Sequence, residues 1–178
     1  MNKDAPMPGR DALYAQAAQA FGSAIARMAR GYEIDPERAR DLEQDIHVAL
    51  WSGLARFRGE AALSTFVWRV AHNTGAKHVQ AQMRHKRKAP LVPIEDVEVA
   101  TSAPNPEQAA DETLAIDRLY QLIHALKATD RQVMLLYLED LDAAAIGAVT
   151  GLSARAVATR IHRIKHVLAD RFETGEGQ

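Results

Sequence analysis

The segment Leu141–Phe172, with the sequence LDAAAIGAVTGLSARAVATRIHRIKHVLADRF, has the pattern of a short helix, a turn and a longer helix. The short helix is predicted from Asp142 to about Ala148. Gly151 supplies the turn, because glycine adopts left-handed backbone angles without a steric penalty. Ser153 is a suitable N-cap for the longer helix, since its hydroxyl can accept a hydrogen bond from a free amide of the first turn. The segment is therefore predicted to fold as a helix-turn-helix unit.

The longer helix of this unit has an apolar side and a side that carries small and basic residues. The apolar residues recur at spacings of three and four, which predicts one buried stripe: Val157, Ile161, Ile164, Leu168 and Phe172. The other side presents Arg155, Ala158, Thr159, His162 and His166, flanked by Arg160, Arg163 and Lys165. Small residues with arginines near a helix N-terminus suit the DNA major groove, where side chains reach base edges and cations meet phosphates. DNA binding is the favoured interpretation, and a solvated basic face on an ordinary helix is the alternative.

The composition predicts a cytoplasmic protein that does not insert into a membrane. The chain has 178 residues, of which 47% are apolar, enough for one or two hydrophobic cores. It contains no cysteine, so disulfides and thiolate zinc sites are excluded, which fits a reducing compartment. Neither a signal peptide nor an apolar run of membrane-spanning length is visible.

Charge is sorted into blocks along the chain, although the net charge is only −1. From Lys77 to Lys88 there are five basic residues and no acid, whereas from Ala89 to Asp117 there are seven acids and no base. Four prolines interrupt the first part of the acidic block. We therefore expect one domain over residues 10–88, a flexible acidic linker over 89–110 and a second domain over 111–173.

The N-terminal domain is predicted to be a bundle of three helices. The first runs over Ala12–Arg30 and ends at Gly31, the second runs from Pro36 to about Arg56, and the third runs over Ser64–Arg87. The third helix interleaves aromatic residues with cations and an amide, as single-stranded nucleic acid requires for stacking and backbone contacts. The alternative for its aromatic and aliphatic residues is an ordinary core. The fold class is thus all-α: two small helical domains, the second a helix-turn-helix domain, joined by the acidic linker.

Two sets of motifs in the chain resemble bacterial sigma factors of the extracytoplasmic-function group, in the sigma-70 family. The second region of that group is similar to Asp41–Asp45 (DLEQD), Phe57–Glu60 (FRGE) and Thr65–Asn73 (TFVWRVAHN). The fourth region is similar to Ala125-Leu126, Arg131-Gln132, the turn at Gly151 and Val157–Arg163 (VATRIHR). The order of the motifs also agrees, and the resemblance covers the chain from about Leu13 to Phe172.

The resemblance implies a sigma factor that binds core RNA polymerase, directs it to promoters and assists promoter melting. The implied partners are the clamp helices of the large polymerase subunit, the polymerase flap, and promoter DNA as duplex and as non-template single strand. Many members of the group are also held by an anti-sigma factor. The residues implied for polymerase binding are Asp41, Gln44 and Asp45. Those implied for recognition and melting of the minus-ten element are Phe57, Arg58, Thr65, Phe66, Trp68, Arg69, Asn73 and Lys77. Those implied for the DNA backbone are Arg84, Lys86, Arg87 and Lys88. The helix implied for the minus-thirty-five element presents Ser153, Arg155, Ala158, Thr159, Arg160, His162, Arg163 and Lys165.

Some positions depart from the pattern of the group. Phe66 stands where tryptophan is usual and Trp68 where tyrosine is usual, so the melting surface has a changed shape. Arg155 and Ala156 stand where glycine and threonine are common, which predicts an unusual minus-thirty-five sequence.

No catalytic site, metal or cofactor is expected. His162 and His166 are spaced as two metal ligands can be on one helix, but no nearby carboxylate or cysteine completes a site. A glycine-rich phosphate loop and a nucleophile motif are also missing from the sequence. The alternative function is a stand-alone helix-turn-helix regulator with an N-terminal dimerisation or effector domain, which would bind palindromic sites as a dimer.

Overall fold

A computed structural model of the chain describes residues 9–88 and 107–174, and the side chains within 9–84 and 114–171. Across these residues the chain forms seven helices and no strand, in agreement with the predicted all-α class. They are α1 Arg10–Tyr32, α2 Pro36–Leu54, α3 Leu63–Lys88, α4 Glu107–His124, α5 Ala128–Leu138, α6 Ala143–Thr150 and α7 Ala154–Thr174. The segment 89–106, which makes up most of the predicted linker, lies outside the described residues.

Helices α1, α2 and α3 pack into one bundle. Helix α2 begins where Asp35 accepts hydrogen bonds from the amides of Glu37 and Arg38, both at 3.0 Å, and Pro36 occupies the first turn. Its buried face has helical spacing and consists of Ala39, Leu42, Ile46, Leu50 and Leu54. This periodic face holds α2 against its neighbours and leaves the opposite side of the helix exposed.

The C-terminal helices form the predicted helix-turn-helix unit. Asp142 caps α6 by accepting a hydrogen bond from the amide of Ala145 at 2.7 Å. Gly151 has a left-handed backbone with φ of 79°, and Ser153 Oγ accepts from the amide of Ala156 at 3.2 Å. Both the turn and the cap therefore confirm the prediction from the sequence. Helix α7 buries Val157, Ile164 and Leu168 and partly buries Ile161, whereas the side chain of Phe172 lies outside the described residues.

The prediction that Gly31 ends the first helix is wrong. Helix α1 continues through Gly31 and its last residue is Tyr32. The C-cap residue that follows, Glu33, has an extended backbone. Gly31 is instead a packing site, because an added Cβ would lie 2.8 Å from Leu135 Cδ1 of α5. The predicted end of α2 at Arg56 is two residues late, and α4 begins at Glu107, inside the range expected for the linker.

The N-terminal bundle and helices α4–α7 are in contact. Arg27 of α1 donates two hydrogen bonds to the carboxylate of Glu139, at 2.8 and 2.5 Å. Arg69 of α3 donates to the carbonyl oxygen of Ala148, in α6, at 2.6 Å. Together with the contact between Gly31 and Leu135, these interactions hold the two halves of the molecule, α1–α3 and α4–α7, against each other.

Within the described residues, no helix has both the length and the apolar character needed to cross a membrane.

Candidate nucleic-acid interface

The predicted recognition helix α7 exposes its polar side to solvent. Arg155, Ala158, Thr159 and His162 are all exposed. On one flank of α7, a groove of about 630 Å³ lies between α7, the end of α5 and the start of α6. Its lining includes Leu141, His162 and His166. The polar side is therefore available to a ligand, as a helix that enters the major groove requires.

The imidazole rings of His162 and His166 lie beside each other in this groove, with centroids 4.6 Å apart. Among the residues that the structure describes, no group of three or more histidine, cysteine, aspartate or glutamate side chains is arranged to hold a metal ion.

The two central arginines of α7 do not point in the same direction as its histidines. Arg160 Nη1 donates to Asp130 Oδ1, and Arg163 Nη2 donates to Asp130 Oδ2, both at 2.7 Å. Asp130 belongs to the first turn of α5 and is buried, although it is charged. Both arginines were predicted from the sequence to flank the DNA-facing side of α7, but their partner Asp130 was not predicted.

Helix α3 carries a second exposed polar stripe. Arg69, Asn73, Lys77 and Arg84 recur at spacings of four and seven and are all exposed. The predicted basic cluster at the end of α3 also includes Lys86, Arg87 and Lys88, whose side chains lie outside the described part of the chain. The stripe combines cations with an amide that can both donate and accept hydrogen bonds.

The structure places Trp68 in the core, not on the surface expected for melting. Its residue exposure is 4%, and its ring packs edge-on against Phe21 with centroids 5.7 Å apart. Phe66 is only partly buried and contacts Phe57, at a centroid distance of 5.1 Å. The helical position of Trp68 turns its ring into the bundle, so Phe57 and Phe66 are the aromatic residues closer to solvent.

A polar cavity of about 360 Å³ lies where α2 is connected to α3. Its lining includes four of the residues predicted for the minus-ten element, together with Arg56: Phe57, Arg58, Phe66 and Arg69. Gly59 has a φ of 72° in this connection, which lets the chain turn tightly. The remaining residue of that predicted set, Thr65, is partly buried at the start of α3.

A third surface lies on α2 and is acidic. Asp41, Gln44 and Asp45 are exposed on one face of the helix. Two apolar side chains continue this face, Val48 at 64% and Trp51 at 41% exposure. Neither residue was predicted for this surface from the sequence. Val48 follows Asp45 by three residues and Trp51 follows Gln44 by seven, so both lie on the same side of the helix as the acidic residues.

A partly buried polar pair helps to position α3 in the bundle. The Tyr32 hydroxyl and His72 Nδ1 are hydrogen-bonded, and burial lowers the pKa of His72 to about 4. The imidazole is therefore neutral at physiological pH. Asn73, the next residue along α3, and Lys77 are on the exposed side, so the pair anchors the flank of the helix beside the polar stripe.

Comparison with known protein families gives two matches, in the order that the resemblance predicted. The family description "Sigma-70 region 2" matches residues 18–85, and "Sigma-70, region 4" matches residues 116–166. The first match covers α2 with most of α1 and α3, and the second covers the helix-turn-helix unit. The chain belongs to the sigma-70 family. It is an RNA polymerase sigma factor, and its partners are core RNA polymerase and promoter DNA.

Individual relatives support the assignment to the extracytoplasmic-function group. The chain is 23% identical to the RNA polymerase sigma factor NccH of Alcaligenes xylosoxydans xylosoxydans, over 94% of this chain and 91% of that protein. It is 29% identical to the RNA polymerase sigma factor YlaC of Bacillus subtilis (strain 168), over 72% of this chain and 74% of that protein. These matches do not favour the alternative of a stand-alone regulator.

Two solved structures share the fold. The structure of CnrH in complex with the cytosolic domain of CnrY matches with a TM-score of 0.65 and 22% identity, covering 90% of this chain and 88% of that one. The sigma factor RpoE in complex with the anti-sigma factor NepR, from Bartonella quintana, matches with a TM-score of 0.68 and 17% identity, covering 90% and 96%.

Proposed function

We propose that this sigma factor reads its promoter with two separate surfaces and docks on polymerase with a third. Residues 10–88 form the domain for polymerase binding and the minus-ten element, residues 111–173 form the domain for the minus-thirty-five element, and the link between them, expected over 89–110, ends where α4 begins at Glu107. The observation that carries the proposal is the presence, in one chain, of two exposed DNA-compatible stripes, on α3 and α7, and an exposed acidic face on α2.

For the minus-ten element, we propose that the non-template strand follows the stripe of α3. Asn73 reads a base with its side-chain amide, while Lys77 and Arg84 contact phosphates. The cavity beside Phe57 and Phe66 accepts a base that has left the duplex stack, because its aromatic wall offers stacking and its arginines offer charge. Trp68 supports this surface from the core.

For the minus-thirty-five element, we propose that the first turns of α7 enter the major groove. Arg155, Thr159 and His162 can donate or accept hydrogen bonds at base edges, and Ala158 leaves room for a thymine methyl group. The amino-terminal turn that Ser153 caps approaches the DNA backbone. Lys165, whose Nζ lies 5.7 Å from the ring centroid of Tyr137, borders this surface and is suited to a phosphate.

For polymerase, we propose that Asp41, Gln44 and Asp45 meet the basic clamp helices. Charge complementarity of this kind sets the association rate and the register of the complex. The exposed side chains of Val48 and Trp51 lie on the same face and supply apolar area that a purely ionic contact lacks.

We propose that the two halves separate when the factor works. The names of the two promoter elements imply centres about 25 base pairs apart, or about 85 Å of duplex at about 3.4 Å per base pair. While helices α1–α3 are in contact with α4–α7, Arg69 is hydrogen-bonded to the backbone of α6 and is therefore not free to contact DNA. The solved relatives CnrH and RpoE were captured with CnrY and NepR, and we propose that a partner of the anti-sigma type also holds this chain.

The proposed role is non-catalytic and cytoplasmic. Nucleotide addition belongs to the polymerase, and this chain supplies promoter choice and strand separation.

The test is transcription in vitro from a DNA library of random sequence, using core polymerase with this chain, followed by sequencing of the templates that are transcribed. Two elements at a fixed spacing are expected upstream of the start site. Arg155→Ala should change only the upstream element, and Asn73→Ala only the downstream one. Gln19→Ala, which removes an exposed amide from α1, is the control and should change neither. Enrichment of one palindromic element would contradict the proposal.

A further inference from the structure

Asp130 is an unusual residue within the helix-turn-helix domain, because its acidic side chain is buried and faces two basic side chains of the recognition helix α7. Its exposure is 8%, and each of its carboxylate oxygens accepts one hydrogen bond from a different arginine. Arg160 and Arg163 lie one turn apart on α7, so a single carboxylate can bridge them. Hydrogen bonds between ionised groups at 2.7 Å are among the stronger polar contacts in proteins.

The bridge determines on which side of α7 the two guanidinium groups lie. Together with Asp130, both arginines line a cleft that α7 forms with the start of α5. The groove that contains Ala158, His162 and His166 lies on the other flank of the helix. The helical positions of the two arginines agree with this separation of the flanks. Arg163 borders the exposed polar side of α7, and Arg160 lies further toward α5.

We propose that Asp130 is a positioning residue for promoter recognition. Its carboxylate holds Arg160 and Arg163 against α5 and keeps these two cations from contacting DNA phosphates. This inference rests on the proposed function, in which α7 reads the minus-thirty-five element, and it adds a determinant of specificity that lies outside α7.

Restraining the two arginines affects specificity because phosphate contacts raise the affinity for every DNA sequence alike. Each cation that neutralises a phosphate releases a counterion, and it adds to sequence-independent binding. Two restrained arginines therefore lower the affinity for non-promoter DNA and leave the base-reading side chains unchanged. The ratio between specific and non-specific binding rises as a result.

The experiment measures binding of the full chain to a fluorescent duplex of random sequence over a series of KCl concentrations. Asp130→Asn keeps the size of the side chain but removes the charge that holds the arginines. We expect the slope of log K against log salt to become steeper by about one to two, because each released arginine adds about 0.9. Asp140→Asn is the matched control. It is the same chemical change in the same half of the chain, at an exposed position with φ of 58° that asparagine tolerates.

A second variant tests the same point without depending on how Asp130→Asn folds. Arg163→Gln in the otherwise natural chain should change the slope by much less than 0.9, because the arginine is already withheld. In the double variant Asp130→Asn/Arg163→Gln, the slope should be shallower by about 0.9 than in Asp130→Asn alone. The ratio of affinities for a duplex enriched by the natural chain and for random duplex should fall several-fold in Asp130→Asn and stay constant in Asp140→Asn.

Three results would overturn the inference. They are an unchanged slope in a folded Asp130→Asn chain, a loss of affinity for both duplexes in that folded chain, and a slope shallower by about 0.9 for Arg163→Gln alone. If the natural chain binds no duplex at all, the proposed function of α7 fails and the inference fails with it.

Discussion

Gly31 offers the sharpest test of how the two halves of the molecule are held together. It lies within α1, where glycine is unfavourable relative to alanine by about 0.5–1 kcal/mol. An added Cβ would nevertheless press on Leu135, at 2.8 Å from Cδ1 and 3.1 Å from Cγ, whereas carbon atoms in contact normally lie about 3.5–4.0 Å apart. Leu135 is 4% exposed, so its side chain has little space into which to move.

Gly31→Ala is therefore expected to destabilise the protein even though it improves the helix. Overpacking of a filled core costs about 1–3 kcal/mol, and the helix preference returns about 0.5–1 kcal/mol, which leaves a net loss of about 0–2.5 kcal/mol with a mid-range value of about 1 kcal/mol. Gly22→Ala is the matched control in the same helix, because nothing lies within 4 Å of its added Cβ. It should stabilise the chain by about 0.5–1 kcal/mol.

Urea unfolding, followed by circular dichroism and tryptophan fluorescence, measures both effects. The double variant Gly31→Ala/Leu135→Ala provides a further check, since the smaller side chain makes room for the new methyl group. The loss for Leu135→Ala should be smaller by about 1 kcal/mol or more in the Gly31→Ala background than in the natural chain. Equal stabilisation by Gly31→Ala and Gly22→Ala, or strictly additive losses in the double variant, would refute the contact between α1 and α5.

Three further predictions concern DNA binding, the contact between the halves and pH. Arg155→Ala should change promoter preference in competition binding, whereas Arg84→Ala should weaken binding to all promoters alike, and an equal loss on every sequence would remove Arg155 from the base-reading residues. Glu139→Gln breaks the ion pair with Arg27 and should speed hydrogen exchange of the α5 amides by about tenfold, which corresponds to about 1.4 kcal/mol; unchanged exchange would contradict its role. Because the pKa of His72 is lowered to about 4, its contribution to stability is complete above the unfolded pKa of about 6.5 and is lost as pH falls from there toward 4. Urea unfolding should show a loss of up to about 3 kcal/mol across that window, and His72→Gln should flatten it; an equally steep loss in the variant would exclude His72 as the cause.

The features that could be predicted from the sequence are those that neighbouring residues determine. The helix-turn-helix is an example, because Asp142, Gly151 and Ser153 act within a few residues of themselves as cap, turn and cap. The exposed side of α7 follows in the same way from the spacing of Val157 and Ile164. The family resemblance predicted the two regions and their order, and the family matches confirm both.

The features that were missed depend on residues that are distant in the chain. Gly31 has the sequence signature of a helix end, and only its contact with Leu135 in α5 explains why the helix continues through it. Asp130 lies 30 and 33 residues from the arginines that it bridges, so periodicity within α7 contains no trace of it. Trp68 shows a third kind of error. Its aromatic character predicted a stacking surface, whereas its helical position next to Val67 directs the ring into the core.

The roles of the site residues remain predictions, and the polymerase contact is central to them. Gel filtration of the full chain with bacterial core RNA polymerase at moderate salt tests this contact most directly. The natural chain should elute with the core enzyme, and Asp41→Arg/Asp45→Arg should elute alone while keeping its helical content. Glu43→Arg, on the side of α2 that lines a cleft with Arg30, is the charge-reversal control and should still elute with the core. A natural chain that elutes alone, or a doubly reversed chain that still elutes with the core, would contradict docking through the acidic face of α2.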